Sequence, residues 1–121
     1  ALKMGISTQE TFPVESFILE QIGSLLFQAG RYSLAASALQ RALNTARTPS
    51  LLVLLAKVNI QDNDLPAAVQ NYLTVVEDYS NETPSNAVKR DCLEQLVALS
   101  TKLKRNTDVA KFQTMLKRLP P

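Results

Sequence analysis

Residues 19–42 read LEQIGSLLFQAGRYSLAASALQRA, and the reading of this stretch decides the fold. Small residues stand where two helices would touch, at Gly23, Ala35 and Ala42. Gly30-Arg31-Tyr32 separates two runs of helix formers, and Gly30 tolerates the positive φ with which helices commonly end. Large apolar residues fill the three- and four-residue spacings between. The stretch predicts two antiparallel helices packed face to face, and weaker copies of it follow along the chain.

Working outward, residues 1–12 show no sustained period and read as a flexible arm or linker remnant. Pro13 suits a first helical turn, where its missing N–H costs nothing. Phe17, Ile18, Ile22, Leu25, Leu26 and Ala29 then recur at helical spacing, predicting a helix over 13–29. Leu34, Ala38, Leu39, Ala42 and Leu43 mark a second over 32–46. Downstream, Thr48-Pro49, Asp64-Leu65-Pro66 and Thr83-Pro84 each place a capping side chain before a first-turn proline. They open predicted helices over 49–61, 65–79 and 84–104, and a turn at Arg105-Asn106-Thr107 opens a sixth over 107–118. The third carries apolar residues nearly all round, so neighbours should cover both its faces. Val88, Cys92, Leu96, Leu99 and Leu103 form one stripe in the fifth. Phe112, Met115, Leu116 and Leu119 supply the apolar side of the sixth. No strand signal appears, so the expected fold is all-α, about six antiparallel helices on short loops.

Composition agrees with one folded domain: 121 residues, 45% apolar and 20% charged, with only three Gly. The net charge of +2 is too small to argue for nucleic acid, but it is unevenly spread. Residues 1–85 carry five basic and eight acidic side chains, and residues 86–121 carry eight and three. Charged outer helix faces usually serve solubility, and an acidic partner for the basic third is the sharper alternative. A single Cys92 excludes an internal disulfide and fits a cytoplasmic or other reducing intracellular compartment. The most apolar run, from Leu51, is broken by Lys57, far short of the ~20 residues that span a bilayer. No basic-then-apolar leader opens the chain, and a first residue that is Ala rather than Met fits a piece of a longer protein.

Small residues recur in the second helix of each predicted pair, at Ala35, Ala68 and Ala110. A two-helix unit of ~34 residues is the period of tetratricopeptide repeats. On Leu19, Ile22, Gly23, Leu26, Gly30, Tyr32, Ala35, Leu39 and Ala42 the first unit resembles that family's signature, with leucines for its Trp and its aromatics. A second unit matches through Leu52, Leu55, Ala56, Ala68 and Tyr72, departing at Asn59 and Val75, and a third keeps Val97, Ala98 and Ala110. The resemblance implies units over about 16–48, 49–83 and 84–119 within a repeat domain over 13–121. It also implies hairpins stacked as a right-handed superhelix. The competing fold is a plain helical bundle.

In this family partners lie in a concave groove lined by the first helix of each pair. By resemblance that face holds Phe17, Glu20, Ser24, Phe27 and Gln28, then Val53, Lys57, Ile60 and Gln61, then Gln95, Leu99 and Lys102. Such a mixture suits a partner helix or peptide, and the alternative places Phe17 and Phe27 in the core or beneath the N-terminal arm. Family members that clamp a chaperone's C-terminal carboxylate use Lys and Asn, where this chain has Glu20, Ser24 and Leu54, so that clamp is not expected.

Catalytic chemistry finds no foothold. There is no His, hence no Ser/His or Cys/His nucleophile pair and no usual zinc or haem ligand set. No glycine-rich phosphate loop is present, and no cofactor is expected. Asp62, Asp64, Glu77 and Asp78 lie where capping explains them, and Cys92 sits on an apolar stripe as a buried thiol would. Asn81-Glu82-Thr83 matches a glycosylation acceptor, but the following Pro84 disfavours its use. The expected function is a non-catalytic protein-interaction scaffold or adaptor. The alternatives are a structural or dimerisation unit using the end helices, and a nucleic-acid binder using Lys102, Lys104, Arg105, Lys111, Lys117 and Arg118.

Overall fold

The computed structural model describes residues 14–77 and 84–120. Among these residues six α-helices follow one another: α1 Val14–Gln28, α2 Tyr32–Leu43, α3 Pro49–Gln61, α4 Leu65–Val76, α5 Asn86–Lys102 and α6 Asn106–Arg118. No strand occurs among the described residues. The expected arm over residues 1–12, Thr83 as a cap and the acceptor triplet at 81–83 lie outside them.

Local chemistry explains the boundaries. The Leu51 N–H donates to Thr48 Oγ1 at 3.2 Å and the Ala67 N–H to Asp64 Oδ1 at 3.3 Å, with a proline in the first turn of both helices. At α5 the expectation of a first-turn Pro84 is corrected: Pro84 precedes the helix, and the cap is Ser85, whose Oγ accepts from the Val88 N–H at 3.2 Å. Each pair of helices closes with one and the same turn. Gly30, Asn63 and Lys104 take φ of 79°, 62° and 60°. The N–H of the following Arg31, Asp64 or Arg105 then donates back to the carbonyl of Leu26, Asn59 or Ser100, at 2.8, 2.8 and 2.9 Å. This is the left-handed C-terminal cap in which a bond spans the last helical turn.

The turns pair α1 with α2, α3 with α4 and α5 with α6, and successive pairs meet through α2 on α3 and α4 on α5. Between α1 and α2 the helices approach closely. A Cβ on Gly23 would lie 2.6 Å from Leu39 Cδ2, Ala35 and Ala42 are fully buried, and Ser16 Oγ donates to the Ala42 carbonyl at 3.1 Å. The central core is aliphatic, with Leu51, Leu52, Leu55 and Val58 of α3 against Val75, Leu93 and Leu96.

Two further expectations need correcting. Ile18, Ile22 and Leu25, which share the helical spacing of a core stripe, are exposed, and α1 turns Ser16, Leu19 and Gly23 inward instead. The reason is positional: α2 packs along α1 on one side, and nothing among the described residues covers the other. Ala110 is exposed and is not the third counterpart of Ala35 and Ala68. Counted from the turn residues Gly30, Asn63 and Lys104, that counterpart is Val109, which follows its turn at the same distance as Ala35 and Ala68 follow theirs.

Candidate partner-binding face

The first helix of each pair brings most of the expected residues to the surface. Phe17, Gln28, Lys57, Gln61, Gln95 and Lys102 are exposed, while Glu20, Ser24, Phe27, Val53 and Ile60 are half-buried. Leu99 departs from the expectation. It is 4% exposed, because it stands at the same distance before its turn as the buried Val58 does in α3 and so shares that packing face. Phe27 is anchored locally, its ring centroid 5.8 Å from that of Tyr32 in a tilted pair, so it props the first turn as well as bordering the face. Ser50 Oγ donates to Glu20 Oε2 at 2.9 Å and ties α1 to α3 along this side.

The structure gathers three of these residues, Val53, Lys57 and Gln95, around one cleft of about 750 Å³ between α3 and α5. Its apolar lining comes from Val53, Leu54 and Val88, with Tyr72 and Cys92 buried beneath. Lys57, Asp91 and Glu94 supply charge of both signs at the edge. Burial pushes the Cys92 thiol up to about 11, helped by Asp91 and opposed by Lys57. Burial likewise pushes the Tyr72 hydroxyl up to about 12, with Cys92 adding to it. Both groups are therefore neutral at pH 7, and a thiol held protonated is a poor nucleophile.

Sequence reasoning missed Ser50, Leu54, Tyr72, Val88 and Asp91 as cleft residues. In the sequence Tyr72 carried the signal of a match in the second repeat unit, and none of a cleft residue. Its place beneath the cleft depends on α4 packing against both α3 and α5. The other expected residues, Phe17, Glu20, Ser24, Phe27, Gln28, Ile60, Gln61, Leu99 and Lys102, do not line the cleft.

Elsewhere, Lys102, Lys104, Arg105, Lys111, Lys117 and Arg118 are exposed. Lys111 Nζ lies 5.7 Å from the Phe112 ring centroid, and Lys117 and Arg118 stand in the last turn of α6, where cations complement the helix dipole. Among the described residues no group of acidic, Cys or His side chains is placed to hold a metal ion. No helix among them is long and apolar enough to cross a membrane. What the described residues define is a class, an all-helical fold of three consecutive hairpins closed by one turn type. No protein family, no curated protein sequence and no solved structure matches the chain.

Proposed function

We propose that this chain is a non-catalytic protein-interaction scaffold of tetratricopeptide type, and that it takes a helix or extended peptide in the cleft between α3 and α5. The observation that carries the reading is the cleft itself: apolar walls from Val53, Leu54 and Val88, edged by Lys57, Asp91 and Glu94, along the side where first helices meet. An apolar anchor would be desolvated in the middle while the edge charges set orientation and encounter rate. The three identical hairpin turns favour a repeat architecture over an irregular bundle.

Selection of peptides from a random library on the immobilised chain, followed by backbone amide shift mapping, tests this. Perturbations should centre on Val53, Lys57, Val88 and Gln95, and Val53→Asp should abolish binding while the helical spectrum is kept. Ligands that perturb only α6, or binding that survives Val53→Asp, would overturn it. A nucleic-acid role for the basic third would instead appear as oligonucleotide binding that falls steeply with added salt.

A further inference from the structure

Among the described residues, the large apolar side chains that stand exposed all belong to the first hairpin, and Val14, Ile18, Ile22 and Leu25 of α1 follow one another at spacings of four, four and three. Leu34 flanks them from α2, on the side where Arg41 reaches Glu15 at 3.9 Å. Counting back from the turn residues gives this face its meaning. Ile18, Ile22 and Leu25 are 49%, 42% and 65% exposed, but their counterparts Leu51, Leu55 and Val58 in α3 are at most 1% exposed. In α5 the counterparts Cys92, Leu96 and Leu99 are at most 4% exposed. Those two sets belong to helices that the preceding hairpin covers, α2 over α3 and α4 over α5. The stripe on α1 therefore has the composition and register of a face made to be covered by a helix.

The far end of the molecule is built differently. At the places of Leu39 and Tyr72, and of Leu43 and Val76, α6 carries Gln113 and Lys117, both exposed. A second copy thus cannot continue the stack head to tail by laying α6 on α1 without burying an amide and an ammonium. Between two copies, a like-on-like contact is the one that avoids this, and the stripe suits it. In an antiparallel arrangement of two α1 helices Ile18 faces Leu25 of the second copy, Val14 faces Ala29, and the twofold axis passes beside Ile22. The acidic start of one α1, at Glu15, then approaches the end of the other, next to Arg31. The five side chains present roughly 450 Å² of apolar surface, the size at which a patch is usually functional and more than half of the ~800 Å² that one partner brings to a standard interface.

We infer that this face is a homodimer interface, in which α1 packs antiparallel on α1 of a second copy through Ile18, Ile22 and Leu25. It lies apart from the cleft and does not depend on it. Sedimentation equilibrium of the whole 121-residue chain at physiological salt should show a reversible dimer. The double variant Ile18→Glu with Leu25→Glu should be a monomer with an unchanged helical spectrum. Under mild oxidation Ile22→Cys should form a disulfide-linked dimer, because that position meets itself at the axis, while Gln113→Cys should not. A chain that stays monomeric throughout, or a dimer that survives the double variant, overturns the inference. So does a monomer that dimerises only once residues 1–12 are removed, since the chain would then cover the face itself. Should the double variant lose its helical signal, the contrast between the two cysteine variants decides alone.

Discussion

Gly23 and Ser100 show how much a single side chain can matter in this core. Gly23 faces Leu39 so closely that an added Cβ would stand 2.6 and 2.7 Å from Cδ2 and Cγ, and Leu39 is fully buried. The buried Leu39 must shift to admit that Cβ, so Gly23→Ala is expected to lower stability by about 1–3 kcal/mol despite the better helix propensity of Ala. Ala35→Leu, at another fully buried contact of the same helix pair, should cost a similar amount. Urea unfolding of the two variants checks both, and an unchanged midpoint for either would mean the helices stand further apart than described. Ser100 presents the opposite case. Its side chain is fully buried, and its Oγ has no hydrogen-bond partner among the described residues. Ser100→Ala removes that hydroxyl, so it should raise stability by about 1 kcal/mol in the same assay.

Helix ends are the element at which sequence and structure agree best, and they make a graded prediction. Thr48, Asp64 and Ser85 each accept a first-turn N–H, and Thr48→Ala should cost about 1 kcal/mol. Arg105 occupies the same backbone conformation as Asp64, with φ/ψ of −96°/75° against −106°/73°, yet makes no capping bond. Arg105→Asn should therefore gain a few tenths to 1 kcal/mol by supplying the missing acceptor. Thermal melts of the two variants should move in opposite directions. The starts at Thr48 and Asp64 were legible because a cap and a first-turn proline act within four residues of each other, whereas α5 starts behind Ser85 rather than at the expected Pro84. The length of α5 was harder to place. Its turn at Lys104 carries no glycine to mark it, and the register of the third hairpin slipped by one residue at Ala110.

For the molecule as a whole, the buried pair Tyr72 and Cys92 sets an alkaline limit. Both keep their protons in the folded state to higher pH than in the unfolded chain, from 10.0 to about 12 for Tyr72 and from 9.0 to about 11 for Cys92. The unfolded state then binds fewer protons, so their contribution to stability is complete below about pH 9 and is lost as pH rises through 11 and 12. Denaturation midpoints measured from pH 8 to 11 should fall, and Cys92→Ala should flatten the fall between 9 and 11 while lowering stability overall.

The sequence by itself determined the six helices, the caps at Thr48 and Asp64, the turn at Gly30 and the hairpin order, since each of these follows from backbone torsions and bonds between near neighbours. Only the tertiary structure decided which apolar residues are covered. Ile18 and Leu51 have the same character and the same place before a turn, but one is half-exposed and the other is sealed. The difference is that α2 lies over α3, whereas no helix among the described residues lies over that side of α1. The cleft has the same origin, because its walls come from three helices and no local pattern encodes how far α3 stands from α5. Burial depends on the neighbour that arrives, and periodicity records only that a face is ready for one.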